Sequence, residues 1–224
     1  MMSFKPIDAQ QWARAEAFYY YANIAPTNYS VTNSLDVTKT YALLKQRGCK
    51  FFPAYLYVMS RVIREIEQLR IGINEGQLGV WETLHPVYPC FHPENQTVSL
   101  LWTEYQADFS QFYQSYLADV EEYGRDLGML TKKGSPPVNA YVVSCIPWFS
   151  FSSFSLHYHQ QKDYYFPSKD YYFPSLEAGK FVEAEGKKRL PLSITVHHAA
   201  TDGYHLKLFY DEVQHLFDHP EQWV

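Results

Sequence analysis

The stretch from Leu190 to His205 constrains the fold most, because its hydrophobic period changes partway along. Its first half is apolar at every second position, which predicts a β-strand with one face in the core. These positions are Leu190, Leu192, Ile194 and Val196. Thr-Asp-Gly at 201–203 is a turn signal, and from Tyr204 the apolar residues recur at helical spacing. The sequence therefore predicts a strand, a tight turn and a helix.

Two adjacent histidines end this strand. His198 continues the apolar series, whereas His197 falls on the other face with Ser193 and Thr195. Burial disfavours imidazolium, so His198 is expected to be neutral near pH 7, as a general base must be. A core histidine held for packing is the alternative, and it is the commoner role for an isolated histidine. A metal site is a third interpretation, but the two rings diverge and the cysteines lack metal-ligand spacing.

The motif His-His-Ala-x-x-Asp-Gly-Tyr-His at 197–205 resembles the signature of the chloramphenicol acetyltransferase family. The shorter His-x-x-x-Asp-Gly is shared with a wider set of coenzyme A-dependent acyltransferases, including the dihydrolipoyl acyltransferases. Thr195 stands where the family usually has Gln. The resemblance covers nearly the whole chain. It implies an α+β fold with a largely antiparallel or mixed sheet, helices packed on it, and a homotrimer with active sites at subunit interfaces.

Composition fits one folded domain, residues 1–224. Hydrophobic residues make up 46% and aromatic residues 18% of the chain, which excludes disorder. The net charge of −5 argues against a nucleic-acid partner. The three cysteines are widely spaced, and neither a signal peptide nor an apolar run of about 20 residues is present. We therefore expect a cytoplasmic protein with no membrane partner.

Helices and strands are expected to mix without βαβ regularity, which also indicates an α+β fold. Helical spacing predicts helices from Asp8, at 38–47, from Pro53 to about 68, and at 109–123. Apolar alternation and turn signals predict strands at 29–37, 71–73, 78–83, 87–91, 98–105, 140–146, 149–156 and 180–184.

The resemblance also implies a catalytic set. Trp-Ala-Arg at 12–14 resembles the family's Trp-x-Arg, whose Arg forms a buried salt bridge with the motif Asp, so the pair here is Arg14 and Asp202. Ser-Cys-Ile-Pro-Trp at 144–148 resembles the family's Ser-Ala-Leu-Pro-Trp, which gives Ser144 the role of oxyanion donor. The alternatives are a solvated helix charge for Arg14 and a backbone-bonded strand serine for Ser144.

Two further groups of residues follow from the same resemblance. The acceptor pocket is implied to contain Tyr20, Tyr21, Tyr29, Phe154 and Trp148. Binding of coenzyme A is implied for Lys50, Phe52, Lys180 and Phe181, although lone lysines are usually solvated. The chain departs from common family residues at Ala25, Thr27, Val98, Thr131 and Glu177, the last of which matches a Thr near the oxyanion.

The function implied is transfer of the acetyl group of acetyl-CoA to a hydroxyl of chloramphenicol, with no metal. His198 takes the hydroxyl proton and Ser144 stabilises the oxyanion. The alternatives are an acetyltransferase for another small hydroxylated compound and a non-catalytic trimer that binds a ligand.

One heptapeptide is repeated in tandem. Lys-Asp-Tyr-Tyr-Phe-Pro-Ser occupies 162–168 and again 169–175. We interpret it as a duplication in a surface loop, where extra length costs little closure entropy. The alternative is an aromatic lid over a pocket.

Overall fold

The computed structural model describes residues 3–156 and 171–224. The strands are β1 (Phe4–Pro6), β2 (Asn28–Asp36), β3 (Ile71–Asn74), β4 (Gln77–Trp81), β5 (His85–His92), β6 (Thr97–Trp102), β7 (Ala140–Ile146), β8 (Ser175–Gly179), β9 (Val182–Ala184) and β10 (Lys187–His197). The helices are α1 (Ala15–Tyr19), α2 (Thr38–Gln46), α3 (Phe51–Glu65), α4 (Phe109–Tyr123) and α5 (Gly203–Asp218). A π-helical turn, Tyr20–Ile24, continues α1, and short 3-10 helices cover Glu67–Arg70 and Pro220–Gln222. None of the helices in the described ranges is long and apolar enough to cross a bilayer.

Two sheets are present. The larger has the order β2-β10-β8-β7-β5-β6, with β9 paired to β10, and the smaller has the order β1-β4-β3. β7 runs parallel to both β5 and β8, and the other pairs are antiparallel. The expected α+β fold with a mixed sheet is therefore confirmed.

The core lies between one face of the larger sheet and helices α2 to α5. Leu190, Leu192, Ile194 and Val196 belong to it, as their spacing predicts. The other face of β10 is also buried, because the segment 151–156 crosses it. The Ser193 hydroxyl donates to the carbonyl of Phe154 at 2.7 Å.

The strand predicted at 149–156 is wrong. This segment has no strand pairing. Its amides bond instead to side chains of the sheet beneath: the amide of Phe154 donates to Thr32 Oγ1 at 3.3 Å, and that of Leu156 to Thr195 Oγ1 at 3.5 Å. The phenylalanines of this segment therefore belong to a stretch of chain that lies across the sheet and is not one of its strands.

The N-terminal helix begins later than predicted. The Asp8 carboxylate accepts from the amide of Gln10 at 3.0 Å in a turn, and α1 starts at Ala15. The sequence analysis also missed β8, whose small residues and Glu177 show no strand pattern. β8 is a strand because it is inserted between β7 and β10.

The described end of the second heptapeptide copy, 171–175, is part of the interior. The Tyr172 ring packs 5.1 Å from Phe18. Phe173 lies over Gly72, where a Cβ atom would sit 2.7 Å from the ring. The surface-loop interpretation is therefore wrong for these residues. The first copy, 162–168, and residues 169–170 lie outside the described residues.

We predict that Phe173→Ala lowers the free energy of unfolding by about 3–5 kcal/mol, because it leaves a cavity against Gly72. Phe149→Ala is the matched control, since this phenylalanine is exposed, and its effect should stay below about 1 kcal/mol. Urea unfolding of both variants at one protein concentration measures the difference. Equal and small effects would contradict the interior placement of Phe173.

Candidate active site

The turn after β10 is closed by its own backbone. The amides of Ala200 and Thr201 donate to the carbonyl of His197 at 3.0 and 3.1 Å. Asp202 then caps α5, and its amide donates to Nδ1 of His205 at 2.9 Å. Burial lowers the pKa of His205, which keeps this nitrogen an acceptor. The predicted strand, turn and helix are therefore all present.

Arg14 ties the turn to the N-terminal part of the chain. Its guanidinium makes two hydrogen bonds to the Asp202 carboxylate, one of them at 2.7 Å. Its Nε donates to the carbonyl of Ala199 and its Nη2 also donates to the carbonyl of His198, both at 2.7 Å. The hydrogen bonds from Arg14 hold the pKa of Asp202 below its usual value. The expected ion pair forms, but it is not fully buried, because the Asp202 side chain is 39% exposed.

His198 is held between two tyrosines. The Tyr21 ring stacks on it at 4.0 Å with an interplanar angle of 17°, and the Tyr29 ring meets it edge-on at 5.1 Å. Tyr21 is presented by the π-helical turn Tyr20–Ile24, and π-helical turns often occur at functional sites. The backbone amide of His198 donates to the carbonyl of Thr27 at 2.8 Å. Ring plane and backbone are thus both fixed.

Nδ1 of His198 faces Asp202. It lies 3.2 Å from Oδ1, within ion-pair distance, although the angle is not that of a regular hydrogen bond. Asp202 thus approaches the imidazole directly in addition to shaping the turn. The carboxylate favours the tautomer with its proton on Nδ1, which leaves Nε2 as the basic nitrogen.

The deeply buried histidine is His197, not His198, which corrects the expectation from the strand pattern. His197 is 5% exposed, packs edge-on to Tyr172 at 5.0 Å, and accepts a hydrogen bond from the amide of Ala199 at 3.1 Å. Burial lowers its pKa to about 4. The His198 side chain is 29% exposed, because it follows the last paired residue of β10.

The other three aromatic residues expected in the acceptor pocket near His198 are Tyr20, Tyr29 and Phe154. Tyr20 meets Tyr21 edge-on at 5.1 Å and is half exposed. Tyr29 donates to the carbonyl of Thr201 at 3.2 Å, and burial raises the pKa of Tyr29 to about 12. Phe154 is held over β10 by its backbone hydrogen bonds. The structure therefore places Tyr21 and Tyr29 against His198, with Tyr20 behind Tyr21.

Ser144 lies on β7, away from the turn that holds His198. It opens onto an apolar cleft of about 590 Å³. Trp148 lines the same cleft and meets Phe91 edge-on at 5.1 Å. The remaining lining residues are Phe52, Pro89, Val98, Cys145, Ile146 and Pro147.

The residues expected to bind coenzyme A lie in two different places. Lys50 and Lys180 are exposed. Lys50 precedes Phe51 in the chain and Lys180 precedes Phe181. The centres of these two rings are 4.8 Å apart. Phe52 instead points inward and lines the Ser144 cleft. Phe51, rather than Phe52, is therefore the aromatic partner of Phe181.

A third cation at this surface was missed by the sequence analysis. Nζ of Lys188 lies 4.5 Å from the ring centre of Tyr41 and 5.3 Å from that of Phe181. No motif marks Lys188, and only the hairpin of β9 and β10 brings it to these rings. Among the described residues, no three His, Cys, Asp or Glu side chains are grouped so as to hold a metal ion.

The strand register separates Ser144 from His198. Ser144 pairs with Glu177, which pairs with Ser193, so Ser144 lies two strands from β10. His198 is five residues beyond Ser193. At about 4.8 Å per strand and 3.3 Å per residue, their Cα atoms are roughly 19 Å apart. A reacting carbonyl beside His198 is therefore out of reach of Ser144 in the same chain.

Comparisons with known proteins agree over the whole chain. A family model described as chloramphenicol acetyltransferase matches residues 2–214. A chloramphenicol acetyltransferase of Staphylococcus aureus is 39% identical over 224 residues, all of both chains. One of Campylobacter coli is 41% identical over 218 residues, 97% of this chain and 100% of that relative. A solved chloramphenicol acetyltransferase has a TM-score of 0.84 at 25% identity, covering 96% of this chain and 100% of its own.

We predict that Arg14→Ala and Asp202→Asn each lower the free energy of unfolding by about 2–3 kcal/mol, with a double variant at least 1 kcal/mol short of the sum. The loss is smaller than for a fully buried pair, because solvent screens Asp202. Because the pKa of Asp202 is lowered on folding, the coupling is present at neutral pH and lost on acidification below 3.8.

The control for this cycle is the exposed pair of Lys207 and Asp211 on α5. The same double-variant cycle there should give a coupling of at most about 0.5 kcal/mol. Urea unfolding measures both cycles. Additive effects of Arg14→Ala and Asp202→Asn would show that the guanidinium does not hold the turn through this carboxylate.

Proposed function

We propose that this chain, which belongs to the chloramphenicol acetyltransferase family, transfers the acetyl group of acetyl-CoA to a hydroxyl group of chloramphenicol. The observation that carries the proposal is the fixed His198, stacked on Tyr21 and backed by Asp202. Its Nε2 is the free basic nitrogen. Relatives named chloramphenicol acetyltransferase match the full length, which supports the acceptor.

His198 acts as the general base. Nε2 takes the proton of the acceptor hydroxyl as that oxygen attacks the thioester carbon. The imidazolium formed is stabilised by the Asp202 carboxylate 3.2 Å from Nδ1. When the carbon–sulfur bond breaks, His198 returns the proton to the departing thiolate, so charge and protons balance over the cycle.

Ser144 stabilises the negative charge that develops on the carbonyl oxygen. A fixed hydroxyl donor at this position contributes about 3–4 kcal/mol to transition-state binding. The apolar cleft beside Ser144 suits this role, because hydrogen bonds to charge are stronger where water is excluded.

The acceptor and the cofactor contact different residues in this proposal, and both reach the Ser144 cleft, which Trp148 and Phe52 line. Tyr20, Tyr21, Tyr29, Phe154 and Trp148 supply aromatic contacts to the acceptor. The cations Lys50 and Lys180 serve the phosphates of coenzyme A. Phe181, paired with Phe51, serves its adenine end, and Phe52 contacts the cofactor from the cleft. Lys188 lies above Phe181 and is paired with Glu183, so it adds a cation to this surface when an anionic cofactor displaces that carboxylate.

The active site forms between copies of the chain. Since Ser144 and His198 of one chain are roughly 19 Å apart, a site that uses both takes His198 from one subunit and Ser144 from its neighbour. A heterologous contact of this kind closes into a ring, and the family resemblance gives a ring of three. The protein is therefore proposed to be a homotrimer.

The proposed enzyme is a single domain of residues 1–224 that works in the cytoplasm. The family model matches residues 2–214 of this chain. Cys49, Cys90 and Cys145 are free thiols, as suits a reducing compartment.

The direct test is release of free thiol from acetyl-CoA. We expect release that depends on chloramphenicol, together with acetylated chloramphenicol detected by mass. Release with another small alcohol but not with chloramphenicol would assign a different acceptor. Ligand binding without any thiol release would assign a non-catalytic binder.

We predict that His198→Ala lowers kcat by at least about 10³-fold and that Ser144→Ala lowers it by about 10²–10³-fold with little change in KM. The negative charge that Ser144 stabilises exists only near the transition state. Loss of the Ser144 hydroxyl should therefore lower kcat and leave KM nearly unchanged. Steady-state kinetics with both substrates separates the two constants.

The matched control is His197→Asn, which keeps an acceptor for the Ala199 amide. It should keep kcat within a few-fold. Turnover near wild type in His198→Ala, or a raised KM with unchanged kcat in Ser144→Ala, would contradict the assigned roles.

A further inference from the structure

Glu177 is a buried carboxyl group without a hydrogen-bond partner among residues 3–156 and 171–224. It lies in the middle of β8, is 2% exposed, and neither of its carboxyl oxygens has a hydrogen bond within these ranges. Buried polar groups are nearly always hydrogen-bonded, so an orphaned carboxyl calls for an explanation.

The sheet register places two hydroxyl groups beside this carboxyl. Glu177 pairs with Ser193 on β10 and with Ser144 on β7, so the three side chains share one face. The Ser193 hydrogen is already used, because it is donated to the carbonyl of Phe154. Ser144 lies one strand away, about 4.8 Å, and opens onto the cleft. Ser144 is thus the hydroxyl that lies within reach both of a rotated Glu177 side chain and of a ligand in the cleft.

We propose that Glu177, as a neutral carboxylic acid, donates a hydrogen bond to the oxygen of Ser144 and so directs the Ser144 O–H toward the reacting carbonyl oxygen. Glu177 is then a positioning residue that acts through Ser144. The inference rests on the proposed function, since it assumes that Ser144 meets an oxyanion. A chain of two hydrogen bonds also polarises the second donor.

The direction of the Ser144 hydrogen depends on the charge of Glu177. A neutral carboxyl can donate to Ser144, whereas a carboxylate can only accept and would turn the Ser144 hydrogen away from the oxyanion. Burial raises the pKa of Glu177 to about 8, so the neutral form prevails at pH 7.

Within the part of the chain that the structure describes, no charge on the neighbouring elements offsets this burial. The titratable groups that interact with Glu177 are Tyr55 on α3 and Tyr210 on α5, and burial raises the pKa of both. On β7, burial raises the pKa of Cys145 to about 11. The covering segment, 149–156, contains only Phe, Ser and Leu. All these groups stay neutral while Glu177 ionises.

The test is the pH dependence of kcat between pH 6.5 and 9.5. We expect wild-type kcat to be about tenfold lower at pH 9 than at pH 7, as Glu177 ionises. Glu177→Gln should keep kcat within a few-fold at pH 7 and lose this alkaline decline, because an amide N–H donates at every pH. Ser144→Ala should lose the decline as well.

The matched control is Ser193→Ala, which alters the other hydroxyl beside Glu177 and should keep the alkaline decline. An identical decline in wild type and Glu177→Gln, or none in wild type, would overturn the inference. If Glu177→Gln does not fold, Glu177→Thr offers a permanent hydroxyl donor and should also lack the decline.

A readout without activity separates this inference from the proposed function. The folded-state pKa of Glu177 lies above its ordinary value of 4.5, so the folded state binds more protons between pH 4.5 and 8. Its stabilising contribution is present below pH 4.5 and is lost as the pH rises to 8, and Glu177→Gln should abolish this slope. Absence of acetyl transfer at every pH refutes the proposed function and the role of Glu177 in it, whatever the slope. Transfer with an unchanged profile refutes the role of Glu177 alone.

Discussion

The site depends on the hydrogen bonds that the guanidinium of Arg14 makes with the turn after β10. One planar group with five donors satisfies the Asp202 carboxylate and two carbonyls of the same turn. The π-helical turn that follows α1 also presents Tyr21, which stacks on His198. The N-terminal segment therefore fixes both the backbone of the turn and the plane of its imidazole. A lysine could not replace Arg14, because a single ammonium cannot make the same fork of bonds.

The larger sheet sets a second constraint, because it holds Ser144 and His198 at fixed and distant positions. Ser144 lies on β7, two strands across the sheet from β10, and His198 lies five residues along the chain beyond the Ser193 that marks its register. No change of rotamer closes a gap of roughly 19 Å. Chemistry that needs both groups must therefore bring two chains together, and the monomer can be rigid without being active. In the proposed trimer, the fold of each chain and the contact between chains would therefore supply different parts of the site.

Sequence patterns predicted the parts of this site that are formed by residues close together in the chain or by a recognised motif. The change of period at 190–205 predicted the strand, turn and helix, and the Trp-Ala-Arg resemblance predicted the partner of Asp202. The patterns failed where burial depends on a distant segment. His197 is the deeply buried histidine because Tyr172, from the heptapeptide repeat, covers its face. β8 was missed because its neighbours, not its residues, make it a strand.

Hybrid assemblies show whether the site joins His198 of one chain to Ser144 of another. His198→Ala and Ser144→Ala are each expected to be nearly inactive, and refolding the two variants together mixes their chains. Random mixing in a cyclic trimer gives about one quarter of the sites both intact residues. We expect acetyl transfer in the mixed assemblies to recover to about one quarter of the wild-type rate. Activity no greater than the sum of the two variants, in assemblies shown to be mixed, would contradict it.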